Sequence, residues 1–149
     1  MKLDNDNTVI YKGRKEEISS DAYRALIVDD EPSVAMVFQL VLASEWPDLI
    51  IDVACNGKEA VESFEKYHQG IVLLDLFMPV MDGETAYMEI EKICIARCWE
   101  IPAVVFCTGY TPPQALHEVL KSPRHCLLAK PMTLESIVAA VRTRLPAAA

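Results

Sequence analysis

No run of about 18 apolar residues occurs in this sequence, so nothing in it predicts a membrane span. The opening stretch, "MKLDNDNTVIYKGRKEE", lacks the apolar block of a signal peptide. Basic residues are in short supply: Lys and Arg number 14 against 22 Asp and Glu, for a net charge of -8. Phosphate contacts need clustered Lys and Arg, so direct nucleic-acid binding is not expected. The sequence also has no Cys-x-x-Cys pair. Its cysteines, Cys55, Cys94, Cys98, Cys107 and Cys126, are odd in number and widely spaced. They read as buried or half-buried free thiols of a cytoplasmic protein. Cys94 and Cys98 lie four apart, but two ligands do not make a zinc site. No internal repeat or low-complexity segment is present.

A chain of 149 residues suggests one domain, long enough to bury a core without staples. Its 52% hydrophobic content fits an ordered globular protein. Residues 1–22 are polar and charged apart from Val9 to Tyr11, and read as a tail or linker. The expected domain is 23–146, with 147–149 as a C-terminal tail. Within the domain, short apolar runs alternate with helical patterns. "RALIV", "LIIDVA", "GIVLL", "IPAVVFC" and "HCLLA" are the strands. Between the first two, Val34, Val37, Phe38, Val41 and Leu42 follow an amphipathic helical spacing behind Pro32. Asn56 and Glu59 form a capping-box start for the second helix, whose apolar face is Ala60, Val61 and Phe64. Helix three follows Gly83, with Ala86, Ile90, Ile93 and Arg97 on one side. "TPPQ" is expected to start helix four, with Thr111 as its cap. Thr133 caps a fifth helix with the stripe Leu134, Ile137, Val138 and Val141. Five β-α units in a row imply an α/β fold, a parallel sheet covered on both faces.

In such sheets ligands bind outside the carboxyl ends of the strands. Strand one ends in Asp29, Asp30 and Glu31, strand three in Asp75, strand four in Thr108, and strand five in Lys130. Three gathered aspartates repel one another unless a divalent cation sits among them, and oxygen-only ligands suit Mg²⁺. A carboxylate beside a metal and a lysine can attack phosphorus. Lysine and metal neutralise phosphoryl oxygens, and the Thr108 hydroxyl can hydrogen-bond one. Each residue alone has a plainer reading: Asp29 and Asp30 as helix caps, Asp75 and Thr108 as turn residues, Lys130 as a solvated lysine. The joint pattern across four strands is what carries weight.

The motifs "LIVDDEP", "VLLDLFMPVMDG", "VVFCTGY" and "LLAKPM", in this order, resemble those of two-component response-regulator receiver domains. The resemblance runs from about Arg24 to Leu145. It implies a flavodoxin-like fold with five parallel strands in the order 2-1-3-4-5. It implies a phosphoacceptor switch in a two-component phosphorelay, not an enzyme acting on an outside substrate. Asp75 would accept a phosphoryl group from a phosphohistidine on a sensor histidine kinase or a phosphotransfer protein. Asp30 would ligate Mg²⁺ directly (Mn²⁺ is the alternative), Asp29 would help through water, and Asp75 and the Phe77 carbonyl would complete the set. Thr108 and Lys130 would meet the phosphoryl group. Lys130-Pro131 resembles the family's cis peptide, Gly83 would start helix three, and Met78-Pro79 would shape the loop over the site. A downstream protein would read the face made by the fourth helix, the fifth strand and the fifth helix, on a cytoplasmic monomer or weak homodimer.

Four features depart from the family pattern. Leu127 stands where an aromatic switch residue is frequent, and Gly109 where Ala is usual. Phe77 and Tyr110, both bulky, occupy the variable positions flanking the acceptor, and are expected to shield the phosphoryl group from water. Extra residues are expected around "IARCWEIP". Three other readings stand beside the switch. A receiver-like interaction module without switching finds its support in Leu127. A haloacid-dehalogenase-type phosphatase would need a second aspartate where Phe77 stands. A flavodoxin-like electron carrier would need a phosphate-cradling loop, and "DDEPS" has the wrong charge for it.

Overall fold

The computed structural model describes residues 23–145 in full and the backbone of three short strands before them. Those strands, β1 (Lys2–Leu3), β2 (Thr8–Tyr11) and β3 (Arg14–Glu17), pair antiparallel within the segment expected as a tail or linker. The expected tail at 147–149 lies outside the described residues.

From Arg24 the chain alternates strand and helix. The order is β4 (Arg24–Val28), α1 (Pro32–Glu45), β5 (Ile50–Ala54), α2 (Gly57–Tyr67), β6 (Ile71–Asp75), α3 (Gly83–Arg97), β7 (Ala103–Thr108), α4 (Leu116–Val119), β8 (His125–Ala129) and α5 (Leu134–Arg142). The five strands form one parallel sheet in the order β5-β4-β6-β7-β8. Counted from Arg24 this is 2-1-3-4-5, as the resemblance implied.

Successive strand residues point to opposite faces, and the sheet is covered on both. Leu26, Val28, Val72, Leu74, Val104 and Phe106 pack on the side of α2 and α3, around Phe64 and Ile90. Ala25, Ile27, Ile71, Leu73, Val105 and Cys107 face α1 and α5, around Phe38, Leu42 and Val141. The central strands β6 and β7 are buried along their whole length. The edge strand β5 is not: Ile50 and Val53 are exposed, because this strand has a neighbour on one side alone.

Helix starts follow the local chemistry. Pro32 is in the first turn of α1. Asn56 accepts from the Glu59 amide at 2.9 Å, and the Glu59 carboxylate reaches back to the Cys55 amide at 2.9 Å, one residue before the usual capping-box partner. Thr133 accepts from the Ser136 amide at 3.1 Å to start α5.

Helix four corrects the sequence reading. It starts at Leu116, not at the prolines, and Thr111 does not cap it. Pro113 disfavours helical geometry at Pro112, which opposes a helix start at that point. On α1 the buried face is Ala35, Phe38 and Leu42, while Val37 is exposed. Two cysteines expected to be at least half-buried, Cys55 and Cys98, are exposed. The residues around "IARCWEIP" are packed as a surface cluster. Trp99 stacks on His68 at 4.2 Å between ring centroids, and Arg97 lies over Trp99 and pairs with Glu65 at 2.7 Å.

Candidate functional site

The carboxyl ends of β4, β6, β7 and β8 meet at one edge of the sheet. Asp29, Asp30 and Asp75 present carboxylate oxygens that all lie within 4.8 Å of one another. Asp29 and Asp75 are buried, 1% and 5% exposed, while Asp30 is open to solvent. Lys130 reaches in from the end of β8, its Nζ 3.3 Å from Asp29 Oδ2 and 3.4 Å from Asp75 Oδ2. One ammonium thus faces two buried carboxylates.

Backbone ties hold these groups in place. The Asp29 amide bonds the Ala54 carbonyl at 3.2 Å, and Asp29 Oδ1 accepts from the Glu31 amide at 2.9 Å. The Phe77 amide points at Asp75 Oδ1, 3.4 Å away. The Lys130 amide bonds the Thr108 carbonyl at 2.8 Å, which fixes the end of β8 to the end of β7. The Lys130-Pro131 peptide is cis. Thr108 is buried, and its hydroxyl oxygen accepts from the Tyr110 amide at 3.0 Å, leaving its own proton free to donate. Gly83 opens α3 directly behind Asp75. A Cβ there would lie 2.2 Å from the Asp75 carbonyl, so no other residue fits this close approach.

The electrostatics follow. Burial holds the Asp75 carboxyl above its ordinary range, Lys130 opposes this, and Asp29 adds to it. Lys130 is desolvated too, which alone would lower its pKa, but Asp29 and Asp75 outweigh that and raise it. The site therefore holds a charged lysine against an excess of carboxylate.

Two aromatic residues follow these strand ends, Phe77 after Asp75 and Tyr110 after Thr108. Phe77 and Tyr110 meet edge to face at 5.0 Å between centroids, while remaining 47% and 72% exposed. Asp29, Asp30, Asp75, Thr108 and Lys130 thus lie at one edge of the sheet. Leu127, the departure noted from the family pattern, lies opposite Phe106 in the β7–β8 register and packs against the core. The aromatic groups of this region are instead Tyr87, Phe106 and His125, in mutual edge contact. Sequence reasoning missed Asp82, which caps α3 by accepting from the Thr85 amide at 2.8 Å. An Asp directly before a helical pattern was the available signal.

The response regulator receiver domain profile matches residues 25–142. The chain belongs to the response-regulator receiver-domain family. The receiver domain is 28% identical over 120 residues to the chemotaxis protein CheY of Halobacterium salinarum, covering 80% of this chain and 94% of that one. It is 43% identical over 86 residues to protein-glutamate methylesterase/protein-glutamine glutaminase 1 of Methanosarcina acetivorans, covering 57% of this chain but 23% of that protein. The chain thus spans about a quarter of the methylesterases it matches. Among solved structures, Vibrio cholerae CheY4 superposes with a TM-score of 0.66 at 21% identity, covering 82% of this chain and 98% of that one. The receiver domain of the hybrid histidine kinase CckA superposes with a TM-score of 0.65 at 22% identity, covering 83% and 99%. Both share its fold. This is a receiver domain of two-component signalling. No helix among the described residues is long and apolar enough to cross a membrane.

Proposed function

We propose that this receiver domain is a Mg²⁺-dependent phosphoacceptor switch with Asp75 as the acceptor. The observation that carries the reading is the convergence of Asp29, Asp30 and Asp75, with Lys130 bridging two of them. The donor set fits a hard divalent cation: it is all oxygen, and its negative charge exceeds what one lysine offsets. Asp30 and Asp75 would hold the metal directly, Asp29 through water, and the Phe77 carbonyl would complete the protein's share. When bound, Mg²⁺ supplies positive charge to the acceptor and to the phosphoryl oxygens.

The chain's own residues do the rest. An Asp75 carboxylate oxygen attacks the phosphorus of a phosphohistidine. The P–N bond breaks, its electron pair leaves with the imidazole, and an acyl phosphate forms on Asp75. Lys130 gives up its pairing with Asp75 to neutralise a phosphoryl oxygen, and the Thr108 hydroxyl donates to another. Phe77 and Tyr110 narrow the approach of an attacking water. The site catalyses its own phosphorylation and dephosphorylation, and acts on no outside substrate.

The donor is a sensor histidine kinase or a phosphotransfer protein. It must lay its phosphohistidine against the site's rim, and the rim continues into an apolar groove. Lys130, Pro131, Val34, Val37 and Leu134 line this hollow of about 540 Å³ between α1 and α5. Helix α1 bears no charged residue from Pro32 to Ser44, so an apolar ridge on the donor suits it. Downstream readout is by a protein partner at the α4-β8-α5 face of a cytoplasmic monomer or weak dimer formed by residues 23–146. Leu127 favours a second reading, an interaction module that does not switch. A small phosphodonor with Mg²⁺ separates the two. The switch gains one phosphoryl group per chain, and gains none when Mg²⁺ is chelated before the donor is added; a chain that stays unmodified with Mg²⁺ present is the inert module.

A further inference from the structure

The loop between β6 and α3 contains a residue in an unusual conformation. Val80 has φ of 71°, is 77% exposed, and sits where the Met81 amide bonds the Pro79 carbonyl at 2.8 Å. This is a γ-turn with a β-branched residue at its centre, a geometry that costs energy and persists only where surrounding structure enforces it. The enforcing contact comes from another element. The amide of Gly57, the first residue of α2, bonds the Met81 carbonyl at 3.0 Å. A Cβ at position 57 would meet that carbonyl oxygen at 2.4 Å, Met81 Cγ at 2.9 Å and the Asp82 carbonyl at 3.0 Å. No side chain fits there unless the loop moves.

The same loop is tied to the acceptor. The Phe77 amide faces Asp75 Oδ1, and the Gly83 amide bonds the Leu76 carbonyl at 2.9 Å. Gly57 is in turn held from its own side. Asn56 caps α2, Glu59 grips the Cys55 amide, and Ala54 accepts from Asp29. The β5–α2 junction therefore touches both halves of the site: Asp29 through Ala54, and the acceptor loop through Gly57.

We propose that Gly57 is a positioning residue for the acceptor site: by admitting the Met81 carbonyl, it presses the loop into the Val80 turn and so sets where Phe77 stands over Asp75. This deepens the phosphoacceptor reading and rests on it. Any side chain at position 57 pushes the loop outward. The loss is relieved when Val80 becomes glycine, because glycine takes positive φ freely and lets the turn re-form in the displaced loop.

The test compares wild type, Gly57→Ala, Gly57→Ala/Val80→Gly and Ile90→Val. The last is a core truncation in α3, away from the loop. Amide hydrogen exchange of residues 76–83 is measured on metal-free protein, so it does not depend on Asp75 being the acceptor. Asp75 labelling by a small phosphodonor with Mg²⁺ is measured on folded protein. Gly57→Ala is expected to speed loop exchange at least tenfold and slow labelling several-fold. The double variant recovers both in part, and Ile90→Val lowers the melting temperature without moving either. The positioning role is overturned if Gly57→Ala changes only the melting temperature, as Ile90→Val does. Should Gly57→Ala fail to fold, Val80→Gly alone decides: faster loop exchange with a raised melting temperature supports an enforced turn, and unchanged values refute it. Loop exchange that responds while wild type takes no label would keep the clamp and sink the acceptor.

Discussion

Asp75 carries a cost that its neighbours only partly offset. Burial disfavours its charged form first, Asp29 adds repulsion, and Lys130 opposes both. Because its folded pKa is raised, the penalty is fully present only above that raised value, shrinks as the pH falls from there towards the ordinary 3.8, and is absent below it. Asp75→Asn removes the charge at neutral pH. It should stabilise the metal-free protein, read by urea unfolding at pH 7, and lose that advantage below pH 4. A destabilised Asp75→Asn would show that Lys130 wins instead. Phe77 and Tyr110 can be judged at the same scale. Their rings meet edge to face, and the role proposed for the pair is to shield the phosphoryl group from water. Phe77→Asn and Tyr110→Ala should each shorten the phosphoryl lifetime by several-fold, followed as loss of label after donor removal. An unchanged lifetime in both would remove shielding from the account.

At the scale of elements, β8 and β7 are joined at one end through a side chain. His125 Nδ1 accepts from the Val104 amide at 3.1 Å, which only an unprotonated nitrogen can do. Burial, with Arg124 and Arg144 nearby, lowers the His125 pKa from 6.5 to about 4. Tyr87 lies beside its other nitrogen, 3.5 Å away, and Glu91 beside Tyr87. The unfolded chain takes up a proton first as the pH falls. Stability is therefore complete above about pH 6.5, declines by about 3 kcal/mol towards pH 4, and levels below it. His125→Gln should flatten that slope in a pH series of denaturant melts. Elements were legible from the sequence to different degrees. "RALIV" and "HCLLA" matched their strands residue for residue, since apolar runs bounded by polar ends leave little choice. Helix α4 was not, because a cap signal at Thr111 competes with the rule that Pro113 imposes on Pro112, and the proline rule prevailed. Val37 fitted the apolar spacing of α1 yet lies outside. Periodicity gives the stripe, but the packing partner decides which edge of it is covered.

For the whole molecule, a rigid sheet sandwiched by helices delivers four strand ends to one edge. That gathering was legible because parallel topology sends every carboxyl end the same way. The clamp on the acceptor loop was not, since Gly57 meets Met81 only once α2 has docked. Function at this scale means meeting a donor. Val37 and the 65%-exposed Leu40 lie on the uncharged outer face of α1. Val37→Asp or Leu40→Asp should slow transfer from a protein phosphohistidine donor by about tenfold, as loss of an apolar anchor does. Labelling by a small phosphodonor should be untouched. Equal slowing of both would place the defect in the site itself. The most direct measurement is to find where the phosphoryl group goes. Wild type and Asp75→Asn are treated with a small phosphodonor and Mg²⁺, digested, and their peptides mapped by mass. The account predicts a phosphoryl group on Asp75 in wild type and none in the variant. Label on another residue, or label that survives Asp75→Asn, would contradict it.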